Sequence, residues 1–109
     1  MNQSREQLER AYRERMQMVR LAFAERTRGD AAGLRTAIDA LPAEAAAAAL
    51  RDIAHQLRGT AGTLGFRALS DASAKLEDAI DAAAGPAELA RLGEALAAMM
   101  GNLDADRAA

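Results

Sequence analysis

The chain has no cysteine, no tryptophan, a single histidine and two prolines, and aromatic residues make up only 3% of its 109 positions. Without cysteine there is neither a disulfide framework nor a thiolate metal site, and a reducing cytoplasm is the expected setting. No apolar run approaches the roughly 20 residues that cross a bilayer. The opening segment, MNQSREQLERAYRERM, is too charged to be the apolar centre of a secretory signal. Neither sign of charge dominates: 14 Lys plus Arg against 16 Asp plus Glu leave a formal net charge of -2. That balance argues against a basic footprint for nucleic acid and against a polybasic membrane patch. The expected partner is another protein, with no nucleic acid and no membrane involved.

What the chain does have is helical periodicity. Half of its residues are apolar, and with so few aromatics the core must come from closely packed helices carrying Leu, Ile, Val and Met. Leu8, Tyr12, Met16 or Arg15, Val19 and Phe23 recur every three to four residues and predict a first helix over 5–27. RGDAAG interrupts it, with Gly29 leaving the helix and Asp30 capping a short additional helix over 31–41 that buries Leu34, Ile38 and Leu41. Pro42 favours a fresh start, and the next helix runs through the alanine-rich segment to Gly65. A further helix buries Leu69, Ala72 or Ser73, Leu76 and Ile80. Gly85-Pro86 then opens the last helix, with Leu89, Leu92, Leu96, Met99 and Leu103 on one face. The expected fold is all-α: an antiparallel up-down four-helix bundle with an additional short helix, in one domain over 1–109 whose residues 103–109 are a frayed tail.

The one histidine stands in AHQLRGTAGTLGF, just before three glycines. At about 100° per residue, Ile53 and Leu57 lie about 160° away from His55 on either side, and Leu64 lies near 180°. Leu50 and Ala61 share that far side, so the apolar stripe faces the core and His55 faces water. Arg51, Arg58, Gly59 and Gly62 fall within roughly 60° of it. A glycine inside a helix costs about 1 kcal/mol relative to alanine, and this chain uses alanine freely elsewhere. Close helix packing would explain Gly62 tolerably and Gly59 poorly, and Gly65 fits a left-handed helix terminus. Gly59, and with it Gly62, are therefore read as leaving room for an external body to reach His55.

One histidine supplies too few ligands for a metal site. Asp52 and His55 have the carboxylate-x-x-His spacing of di-iron bundles, but those ligands point inward and no second histidine exists. A catalytic triad would need a pocket that so narrow a bundle hardly provides. A histidine nucleophile acting on a group brought by a partner remains. A solvent-exposed imidazole is mostly neutral near pH 7, which leaves a lone pair available. A phosphoryl group suits the cationic neighbours, and Arg58 stands where it could stabilise the peripheral oxygens. The plainer alternative is a surface imidazole with no chemical role.

AHQLRGTAGTLGFRALSDASAKLEDAI resembles the histidine-containing phosphotransfer (HPt) domain of two-component phosphorelays. Ala54, His55, Leu57, Gly59, Ala61, Leu64, Gly65, Leu69, Leu76 and Glu77 match the family pattern. The resemblance implies a phosphorylatable His55 that takes a phosphoryl group from one receiver-domain aspartate and gives it to another. The chain would then be a covalent carrier rather than an enzyme, and it has no Walker-type or kinase glycine motif for ATP. No cofactor of its own is expected, with Mg²⁺ on the partner receiver domain. Partners implied are receiver domains of response regulators and a hybrid sensor kinase, with the chain itself a monomer. Gln56 and Arg51 are candidates for the docking surface beside Gly59 and Gly62. The family's usual lysine three residues after the histidine is Arg58 here, which keeps the charge but prefers forked contacts. Members often place a polar side chain on the following helix to hydrogen-bond the imidazole; Ser70, Ser73, Lys75 and Glu77 are all available for it. An opening Met1 without flanking linkers suggests a free-standing protein. The rival function is a helical adaptor or inhibitor that binds a receiver domain or sensor kinase without being phosphorylated.

Overall fold

In a computed structural model, which describes residues 2–107, the chain forms four α-helices: α1 (Asn2–Asp39), α2 (Glu44–Leu64), α3 (Arg67–Asp81) and α4 (Pro86–Gly101), followed by one 3₁₀ turn at Ala105–Arg107. Among the described residues there is no strand. Each helix packs on the next and α4 packs back on α1, so the four close into an up-and-down ring. No helix among the described residues is long and apolar enough to cross a membrane.

The short connections are set by local chemistry. Gly65 takes φ +90°, which only glycine adopts freely, and the Phe66 N–H then reaches the Ala61 carbonyl at 2.8 Å to close α2. Pro86 sits in the first turn of α4, where its missing N–H is no loss. The core is aliphatic, as the composition requires: Leu34, Leu50, Leu69, Leu76, Leu96 and Met100 are essentially sealed from water. The two phenylalanines meet at 5.3 Å between ring centroids, pinning α1 to the α2–α3 turn.

Two expectations are corrected. The additional short helix over 31–41 is not a separate element, because α1 runs unbroken for 38 residues through Gly29, Asp30 and Gly33. Continuity keeps Phe23, Thr27, Ala31 and Leu34 on one buried face. Burying that face outweighs about 1 kcal/mol of lost propensity at each glycine. The second correction concerns the other end of α1. Leu8, Tyr12 and Val19, read as core by their spacing, are 72%, 64% and 42% exposed. At 1.5 Å per residue α1 is about 57 Å long, matching the 60 Å long axis of the molecule, so its first turns project beyond the shorter helices.

Part of the segment read as a frayed tail is held. Arg28 donates to the Leu103 carbonyl at 2.7 Å, Gln17 donates to Asp106 at 3.2 Å, and Ala105 is buried. Residues 108–109 lie outside the described residues.

One glycine sets a helix spacing. A Cβ at Gly93 on α4 would lie 2.9 Å from both Cγ1 and Cδ1 of Ile38 on α1. Gly93→Leu is expected to destabilise the fold by about 1–3 kcal/mol through overpacking, read as a lower midpoint in urea denaturation.

Candidate functional site

The buried stripe of α2 is Ala46, Leu50, Ala54, Ala61 and Leu64. Turning that stripe inward turns His55 outward, with its side chain 68% exposed. Flanking side chains divide to either side. Gln56 lies toward α1, where it lines an open groove of about 600 Å³ with Phe23, Ile53 and Thr60. Arg51 and Arg58 lie toward α3.

On α3, Leu69, Ser73, Leu76 and Glu77 are the buried residues. Glu77 follows Ser73 by one turn and so cannot avoid the interface. Its side chain is only 6% exposed, yet every oxygen has a donor. His55 Nδ1–H donates to Oε2 at 2.6 Å, and Arg58 donates to Oε1 at 3.2 Å. Arg51 adds an ion pair to Oε2 at 3.6 Å. A carboxylate can only accept, so Nδ1 carries the proton of the neutral imidazole and Nε2 keeps its lone pair. The ring is held at one nitrogen and free at the other.

The remaining contacts belong to the same face of α3. Arg51 grips Asp81 with a fork of 2.7 and 3.3 Å, and Arg58 also reaches Asp78 at 3.5 Å. Burial pushes the Glu77 carboxyl up, but hydrogen bonds from His55 and Arg58, with the positive charge of Arg51, outweigh it and hold the group below its ordinary value. The hydrogen bond from Arg51 likewise holds Asp81 low, aided by the arginine's charge and opposed by burial.

The two glycines differ. A Cβ at Gly59 would meet nothing within 4 Å, whereas one at Gly62 would meet Ser70 Oγ at 3.2 Å. Gly62 therefore has a packing reason inside the chain: it admits Ser70, whose hydroxyl donates to the Arg58 carbonyl at 2.8 Å. Gly59 is the open position. Of the four polar candidates for the imidazole's partner, Ser70 and Ser73 are spent on backbone carbonyls and Lys75 is exposed. Glu77 is the partner. The sequence did carry a signal for it, a carboxylate one turn from Ser73 and next to Leu76 on the core stripe, which demands cationic company. Asp78 and Asp81 carried none beyond their place on an exposed face.

Among the described residues no group of three or more His, Cys, Asp or Glu is arranged to hold a metal ion.

The model of the Hpt domain family matches residues 3–106, nearly the whole chain, and the chain belongs to that family. Its members are phosphocarrier modules rather than catalytic enzymes, and they work with receiver domains and kinases in phosphorelays. Comparison with curated proteins and with solved structures returned no match.

The depressed carboxyls fix a sign for acid sensitivity. Glu77 and Asp81 add stability above their unfolded values, near pH 4. That contribution is lost as pH falls through their lower folded values. Thermal melts from pH 6 to pH 2 should show an acid limb that flattens in Glu77→Gln.

Proposed function

We propose that the chain carries a phosphoryl group on His55 Nε2 between the aspartates of receiver domains. The observation that supports this best is the imidazole itself, exposed at 68% while Nδ1 is bound to buried Glu77. Nε2 attacks the phosphorus of the receiver's aspartyl phosphate; the N–P bond forms as the O–P bond breaks. The aspartate leaves as a carboxylate, taking the bonding pair. No proton need move, because the product is an N-phosphorylated imidazolium whose Nδ1–H already faces the Glu77 carboxylate.

The other site residues follow from position. Arg58 balances charge on the phosphoryl oxygens once it turns from Glu77 and Asp78. Gly59 leaves the approach uncrowded, with Gly62 at its margin, Gln56 on the α1 side and Arg51 on the α3 side. Mg²⁺ is a requirement of the receiver's acidic centre, and the chain brings no cofactor of its own. The carrier works as a monomer in the cytoplasm, alongside response regulators and a hybrid sensor kinase.

Incubation with a ³²P-labelled receiver domain should move label to the chain in a form labile to acid and stable to base. His55→Gln should abolish it, and equal labelling of that variant would sink the proposal. Gly59→Leu should fold normally, since its side chain meets open space, yet slow transfer by at least about tenfold, the effect of a misplaced approach on a reaction that depends on orientation. Unchanged single-turnover rates would remove Gly59 from the docking surface.

A further inference from the structure

The two arginines beside His55 are not free in the resting chain. Arg51 is forked onto Asp81, Arg58 is divided between Glu77 and Asp78, and all three carboxylates stand on α3. Two guanidinium charges thus face three carboxylates, a local excess of one negative charge before any phosphoryl group arrives. We propose that Asp78 and Asp81, by holding Arg58 and Arg51 against α3 and by their own charge, raise the phosphoryl-transfer potential of His55, so that the carrier passes its group on rather than storing it.

The inference rests on the reading of His55 as phosphoryl acceptor. A phosphoryl group brings two negative charges, of which the new imidazolium offsets one. To neutralise the rest, Arg58 must leave Asp78, and the carboxylate it leaves is then without that partner on the same face of α3. Arg51 meets the same choice with Asp81, from a better starting geometry. Neither exchange changes a bond order; the same N–P bond forms and breaks as before. What shifts is the free energy of the phosphorylated state, through repulsion by the aspartates and through cations already committed. Asp78 and Asp81 touch no reacting atom, so they are positioning residues. Both are at least half exposed, with side-chain exposures of 70% and 50%. Solvent therefore moderates the effect: a partly screened carboxylate within about a Debye length of the phosphoryl group shifts an equilibrium roughly threefold to tenfold.

The test is the equilibrium partition of label between His55 and a receiver aspartate, for the wild type, Asp78→Asn, Asp81→Asn and the pair. Each single change should move the partition toward phosphohistidine by about threefold or more, and Asp81→Glu should restore the wild-type ratio. Raising salt should favour phosphohistidine in the wild type and do so less in the double variant, a response that a purely structural role would not give. Phosphoramidate, a small anionic phosphoryl donor, gives a route independent of any receiver, and the double variant should be labelled faster by it. If the wild type labels from either donor but partition, rate and salt response are the same in the variants, this inference falls and the carrier function stands. If the wild type takes label from neither donor, both fall.

Discussion

The hydrogen bond from His55 Nδ1 to Glu77 is the interaction on which the site depends. A carboxylate taken almost wholly out of water must be met by donors, because a buried unpaired charge costs far more than the fold can spare. Here the donors are the imidazole and two arginines. One requirement of protein stability thereby fixes the tautomer of the ring, its orientation and the placing of the neighbouring cations. Nε2 is left free because the fold uses the ring's other nitrogen.

Helix packing and site chemistry share the same residues on both helices. On α2, the stripe that buries Leu50, Ala54 and Ala61 sends His55 outward. The close approach of α3 at Gly62 lets Ser70 bond the carbonyl of Arg58. That bond joins the two helices at the residue whose guanidinium reaches Glu77. On α3, the run of Glu77, Asp78 and Asp81 grades from buried to exposed around one face, so each arginine of α2 meets a carboxylate at a different depth. The glycine at 59, where a Cβ would meet nothing within 4 Å, spends helix propensity without a packing return.

Much of this is legible in the sequence. The outward histidine, the left-handed terminus at Gly65 and the opening of α4 at Pro86 follow from spacing and backbone chemistry, because each depends on only a few adjacent residues. The break after Arg28 did not occur. Glycine and aspartate are weak local signals, and one continuous buried face from Phe23 to Leu34 overrides them. The periodicity at Leu8, Tyr12 and Val19 misled for the opposite reason: it marks a helix face but cannot say that a second element lies against it. The partner of the imidazole stayed open because four polar residues on one helix differ only in how the two helices are rotated against each other. That rotation is a property of packed cores, fixed by Leu69, Leu76 and the Gly62–Ser70 contact together.

The long first helix also governs how the molecule moves through water. With extents of 60 × 24 × 19 Å it is a rod, and in an up-and-down bundle the amide N–H bonds of all four helices lie close to the rod's axis. Tumbling about that axis scarcely reorients those bonds, whereas end-over-end rotation does. Nuclear relaxation along the backbone should therefore report the slow rotational component almost uniformly, as though the chain were heavier than its 11.5 kDa.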